Sequence, residues 1–226
     1  MTNDLLQRLD SAIAERGMLK HPFYVAWSQG RLTREMLKDY ACQYYHLESS
    51  FPRMVSAVHS NTPDLGVRQH LLENLVDEEQ GDENHPALWL RFARALGATD
   101  DDVLNVDVLP STRAAIDTMT GICRDKPYQE GMAALYAYES QIPEVARVKI
   151  DGLNRFYGMD DPEEYKFFSV HEEADAWHSE VERKLIDEHT DSESADAVVS
   201  AAATSAGALW GFLDGIHETY VTQRAA

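Results

Sequence analysis

Three residues of one short segment, His171, Asp175 and His178, have the types and spacing of metal ligands. On an α-helix, positions i, i+4 and i+7 fall within an arc of about 60°, so two imidazoles and a carboxylate would share one face. Neutral imidazole and carboxylate are ligands for iron, manganese or zinc. A second candidate face follows Asp77-Glu78-Glu79 and includes His85. On a continuous helix Glu78 and His85 would lie about 20° apart, which favours Glu78 over Glu79, with Gly81 as a possible bend. The third contributor is Glu139, in Leu135-Tyr-Ala-Tyr138-Glu139-Ser-Gln-Ile-Pro143. A carboxylate among apolar and aromatic neighbours needs compensation if it is buried. Pro143 cannot donate to the Glu139 carbonyl, so a kink is expected there. Each feature alone has an ordinary reading: a solvated acidic run, a surface Glu beside a proline, an incidental pair of histidines. Together, Glu78, His85, Glu139, His171, Asp175 and His178 supply three carboxylates and three imidazoles from three helical regions. Helix bundles build two-metal carboxylate sites in this way, with ligands projecting inward from facing helices. A pair of metals so held could bind and reduce dioxygen.

The elements that must position these residues read as helices nearly throughout. Leu5, Leu6, Leu9 and Ile13 recur at helical spacing. Thr33 opens a second helix, expected to run to about Ser60, and Asn61-Thr62-Pro63-Asp64 breaks it. A third is expected from Leu65 to about Glu79, and a fourth from His85-Pro86 to Gly97. Ser111 is the expected cap of a fifth. One long helix is expected from about Pro127 to Phe156, ending at Gly158. Asp160-Asp161-Pro162 looks like a helix start, and a helix from near Phe168 to Glu188 follows. The last, Ala-rich, is expected from about Ser194 to Thr222. With no alternating run, repeat or low-complexity linker, the expectation is one all-α domain, residues 1–226, of roughly seven or eight helices.

Composition narrows the function classes. The 226 residues carry 20 Lys+Arg against 39 Asp+Glu, a net charge of −19, so a nucleic-acid partner is not expected. No run approaches 18 apolar residues, so no membrane span is expected, and no basic or apolar leader pattern is seen. Two cysteines, Cys42 and Cys123, make no disulfide framework. A cytoplasmic location is the expectation.

The run His21-Pro22-Phe23-Tyr24 with Gly30-Arg31-Leu32-Thr33 resembles the start of the TenA/PqqC-like proteins, which have the haem-oxygenase-like fold. The metal set resembles that of the haem-oxygenase-like dimetal oxidases, in particular the CADD-like para-aminobenzoate synthases. The resemblance covers essentially the whole chain. It implies a haem-oxygenase-like bundle with two metal ions, Fe/Fe or Fe/Mn, and O2 as co-substrate. It also implies an external reductant from an unidentified electron donor, and a homodimer. The activity it implies is self-sacrificing: the aromatic ring of para-aminobenzoate, made for folate, is cut from a tyrosine of the chain itself, with a lysine as the amino source. By position these carry over to Tyr24 and Lys149, and Tyr138 matches another tyrosine near the site.

The residues themselves permit these roles. Tyr24 follows a Pro-Phe turn from which its side chain could reach a bundle core; as one of 10 tyrosines it also reads as an ordinary core aromatic. Lys149 lies in a largely apolar stretch, Val145-Ala-Arg-Val-Lys149-Ile150. It reads as a snorkelling lysine or as an inward one, whose amine desolvation would tend to neutralise. Rival readings are a dimetal oxidase acting on an external small molecule, a PqqC-like metal-free oxidase, and a TenA-like thiaminase. The last would use Cys123, with Arg124 favouring the thiolate.

Overall fold

Capping side chains set where several helices begin. Thr33, Asp64 and Asn84 accept from the backbone N–H of Met36, Val67 and Ala87, each satisfying an amide that has no partner inside its helix. In the computed structural model, which describes residues 2–223 apart from the side chains at 2, 3, 173, 174 and 176, no strand occurs among the described residues. In chain order the helices are α1 (Thr2–Glu15), α2 (Pro22–Ser28), α3 (Arg34–Glu48), α4 (Phe51–Asn61), α5 (Leu65–Glu79) and α6 (His85–Ala95). They continue as α7 (Asp100–Leu104), α8 (Pro110–Asp125), α9 (Tyr128–Glu139), α10 (Ile142–Phe156), α11 (Lys166–His189) and α12 (Ala195–Ile216).

The helices outnumber the expected seven or eight because two long periodic stretches are each divided. The stretch after Thr33 breaks at Ser49 and Ser50, and Pro52 sits in the first turn of α4. The stretch from Pro127 to Phe156 breaks at Ser140 and Gln141 rather than kinking, and Pro143 falls in the first turn of α10. A proline there sacrifices no bond, since first-turn amides are unpartnered in any case. The short helices α2 and α7 are too brief to show a periodic pattern. Ser111 does not cap α8: that helix starts at Pro110, and no side-chain oxygen caps it. The Asp161-Pro162 start is a 3-10 turn capped by Asp161, which leads into α11.

α12 packs against α9, α8 and α1, and α11 packs against α10, α9 and α6. The segment Ala195–Thr222, beginning with α12, passes a length-and-composition test for crossing a membrane, a test that core helices of globular proteins also pass. Its apolarity has a packing reason: Val198, Ala202, Ala206, Leu209, Phe212 and Leu213 are buried among those three neighbours. The functional interior lies where α3, α5, α6, α9 and α11 converge.

Candidate metal centre

Four helices bring four ligand-type side chains together. Glu48 closes α3, Glu78 lies in the last turn of α5, His85 opens α6 and His171 lies in α11. All four are buried, and one ligand atom from each lies within 4.8 Å of the others. Gly81, at φ +83°, turns the chain between α5 and α6, so Glu78 and His85 do not share a continuous helix. The turn folds them face to face instead, with His85 Nδ1 at 3.0 Å from Glu78 Oε2. Glu79 is exposed and points away.

The tautomer of His171 follows from its partner. Its Nδ1 lies 2.7 Å from the Phe167 carbonyl, which only accepts, so Nδ1 carries the hydrogen and Nε2 presents a lone pair. That Nε2 is 3.9 Å from Glu48 Oε1, and the His85 and His171 rings are 4.0 Å apart. Burial holds both imidazoles below the usual histidine range, which favours the neutral, ligating form.

The other sequence candidates lie beside this group. Glu139 ends α9 and accepts from Asn74 Nδ2 at 2.8 Å. Asp175 is 2% exposed on the inner face of α11. His178, one turn on, is buried, and its Nε2 pairs with Asp77 Oδ2 at 2.9 Å. These three do not join the four-membered cluster; like charge links Glu139 and Asp175 to it through Glu78.

The sequence reading missed three members of this interior. Glu48 is one, Glu182 of α11 is another, and His70 of α5 is buried with neither ring nitrogen partnered. The signal for two of them was present as spacing: 178 to 182 is one turn of α11, and 70, 74 and 78 step along one face of α5.

The donor set fits divalent transition metals. Among the described residues, Glu48 Oε1, Glu139 Oε2, Asp175 Oδ2 and His178 Nδ1 are buried without a hydrogen-bond partner, and Glu78 Oε2 and His85 Nδ1 face each other at 3.0 Å without hydrogen-bond geometry. Leaving such groups unsatisfied costs about 1–3 kcal/mol each, and more where they are charged. Burial pushes Glu48 up to about 8 and holds Glu78 and Asp175 well above the usual carboxylate range. A cation among them reverses that preference, because it binds the ionised form.

A second constellation adjoins the first. Lys149 of α10 is 2% exposed, and its Nζ donates to the Tyr40 hydroxyl at 2.8 Å. Tyr24 of α2 shares a hydrogen bond of 3.2 Å with the same hydroxyl, and its ring centre lies 5.5 Å from Nζ. Aromatic rings, among them Phe168, Tyr44 and Trp89, surround the ammonium position. Desolvation brings the Lys149 amine down to about 7, while burial pushes the Tyr24 hydroxyl upward. Tyr138 donates to Glu48 Oε2 at 3.2 Å and hydrogen-bonds Tyr44, so Glu48 touches both constellations.

Cys123 is a free, buried cysteine. Burial pushes its thiol up to about 12, and Arg124 is engaged with Asp125 rather than with the sulfur. A thiolate nucleophile is not supported there.

A family model for iron-containing redox enzymes, of the haem-oxygenase type, matches residues 38–210. The chain is 50% identical to a 4-aminobenzoate synthase of Nitrosomonas europaea over 97% of its own length and 93% of that protein's. It is 43% identical to a 4-aminobenzoate synthase of Chlamydia trachomatis, covering 93% of this chain and 91% of that one. Among solved structures, a CADD-like protein of Nostoc punctiforme superposes with a TM-score of 0.81 at 16% identity, covering 98% of this chain and 99% of that one. At that identity the likeness shows the fold.

Proposed function

Because the chain belongs to the haem-oxygenase-like family of iron-containing redox enzymes, we propose that it makes para-aminobenzoate from its own Tyr24, with Lys149 as the source of nitrogen. The 4-aminobenzoate synthases it resembles at 37–50% identity support the product. The observation that carries the internal-substrate reading is the placement of Tyr24 and Lys149. A phenol ring and an amine that desolvation lowers to about 7 lie 5.5 Å apart, inside the protein, on one shared Tyr40 hydroxyl. Both reacting groups are part of the wall, at 1% and 2% exposure, so the ring needs no entry route.

Glu48, Glu78, His85, Glu139, His171, Asp175 and His178 would hold two metal ions, Fe/Fe or Fe/Mn. When bound and reduced, such a pair supplies dioxygen activation with electrons from an external donor. The chain's own residues do the rest. Tyr40 orients the Tyr24 hydroxyl and the Lys149 amine toward each other. Trp27, Trp89 and Phe168 exclude water from that pair and keep a fraction of the amine unprotonated. Tyr138 fixes one oxygen of Glu48 and leaves the other toward the cluster.

The deciding experiment loads the protein anaerobically with Fe(II), with and without Mn(II), then adds O2 and reductant. Para-aminobenzoate per chain is counted against intact mass and a peptide map of Tyr24. The expected result is at most about one product per chain, with mass lost at Tyr24, since a consumed side chain cannot turn over. Tyr24→Phe yielding product at the wild-type level overturns the assignment. Many products per chain with Tyr24 intact would favour an external substrate on the same metals.

A further inference from the structure

Glu182 of α11 is fully buried, at 0% exposure, and among the described residues neither of its oxygens has a hydrogen-bond partner. It lies one turn beyond His178 and two beyond Asp175, so the four positions 171, 175, 178 and 182 fall within about 60° on one face of the helix. The Glu139 carboxylate is within hydrogen-bonding reach of it. Two ionised carboxylates only accept, so neither satisfies the other. Glu139 spends one oxygen on Asn74 and keeps the other unpartnered. Asp175 Oδ2 and His178 Nδ1, on the same face, are unpartnered as well.

An ionised carboxylate at this depth is strongly unfavourable: without a metal it takes up a proton, and it stays ionised only beside a compensating cation. The titratable groups acting on Glu182 are Glu139, Asp175 and Cys123, and among the described residues no Lys or Arg forms an ion pair with it. Glu48, Glu78, His85 and His171 already form a complete four-ligand group around one position. Beside that group, in a looser arrangement, Glu139, Asp175, His178 and Glu182 also carry buried atoms without a hydrogen-bond partner, as does His70; the first four supply three carboxylates and one imidazole.

We infer that Glu182 is itself a metal ligand, completing with Glu139, Asp175 and His178 the site of the second ion. The inference rests on the two-metal reading above and adds a residue to it. A carboxylate-rich second group, hard in its oxygen donors, suits Mn(II) or Fe(II) better than a softer metal.

The test reads metal content, independently of product. Glu182→Gln preserves shape and can still donate a hydrogen bond to Glu139, so it keeps a structural role while replacing an anionic ligand with a weaker neutral one. Wild-type protein and the variant are loaded with Mn(II) and with Fe(II), dialysed, and counted for metal per chain. The expected result is about two ions in the wild type and about one in the variant. Two ions retained by the variant with unchanged affinity overturns the role of Glu182 and leaves the two-metal reading standing. No more than one ion in the wild type overturns the two-metal reading itself. Should the variant fail to fold, the Mn(II)-loaded wild type decides. Anomalous diffraction is expected to place a Glu182 oxygen at about 2.2 Å from the second ion, as for other metal-bound carboxylates. A separation beyond about 3.5 Å overturns the inference.

Discussion

At the scale of single residues, Lys149 shows stability given up for chemistry. Its amine is fully enclosed, and desolvation lowers it from the usual lysine range to about 7. A depressed lysine disfavours folding wherever the unfolded chain would be protonated, so this penalty grows as pH falls from about 10 to about 7. At pH 7 it is on the order of several kcal/mol, offset in part by the Tyr40 hydrogen bond and the surrounding rings. Lys149→Met fills the same space without the charge. We expect it to stabilise the metal-free protein at pH 7 by on the order of 2 kcal/mol in urea unfolding. It should hold the same metal as the wild type and make no para-aminobenzoate. A variant that unfolds more easily than the wild type would mean that Lys149 is a structural anchor rather than a reactant.

At the scale of elements, the site depends on how closely α2 lies on α10. Gly152 makes that approach possible: a Cβ there would meet the Trp27 indole at 2.6 Å, and Trp27 Nε1 donates to the Lys149 carbonyl at 3.2 Å. Tyr24 rides on α2 with Trp27, so its distance from Lys149 is set by this contact. Gly152→Ala forces the helices apart at a cost of about 1–3 kcal/mol, even though alanine is the better helix former. The expected outcome is product per chain down at least about tenfold, since misplacement by about 1 Å can cost that much, with metal content unchanged. Metal lost in parallel with product would mean that α2 supports the metal helices rather than the reactant pair. Elements of this kind were only partly legible in the sequence. The ladder on α11 was readable because its chemistry and its spacing coincide in one helix. Glu48 was not, because its burial depends on the end of α3 meeting α5, α6 and α11, and nothing in the local sequence distinguishes it from a surface glutamate. The breaks at Ser49 and Ser140 were hidden because the apolar period runs through both, and only Pro52 and Pro143 marked them. The Glu78–His85 meeting was anticipated through a continuous helix, whereas the turn at Gly81 is what makes it.

At the scale of the whole molecule, five buried carboxylates in one interior make stability depend on pH and on metal together. In the metal-free chain, burial raises Glu48 to about 8 and raises Glu78, Glu139, Asp175 and Glu182 as well. A raised carboxyl is more protonated folded than unfolded, so its contribution is present at low pH and is lost as pH rises through the folded value. The buried imidazoles of His85 and His171 are depressed and act in the opposite sense, but only below the ordinary histidine range near 6.5. Lys149 opposes the carboxyls only from about 7 upward, as one group against several. Between about pH 6.5 and 8 the carboxyls therefore dominate, and the chelated protein should lose thermal stability as pH rises. Metal inverts the slope over that window. Ligands must be deprotonated to bind, so affinity rises with pH, and stabilisation grows as RT ln(1 + [L]/Kd). Two melting series, one in chelator and one with saturating Mn(II), should diverge as pH increases and converge toward pH 5. A chelated series whose melting temperature climbs from pH 6.5 to 8 would show that this acidic interior is already compensated within the chain, and the metal reading would lose its physical basis.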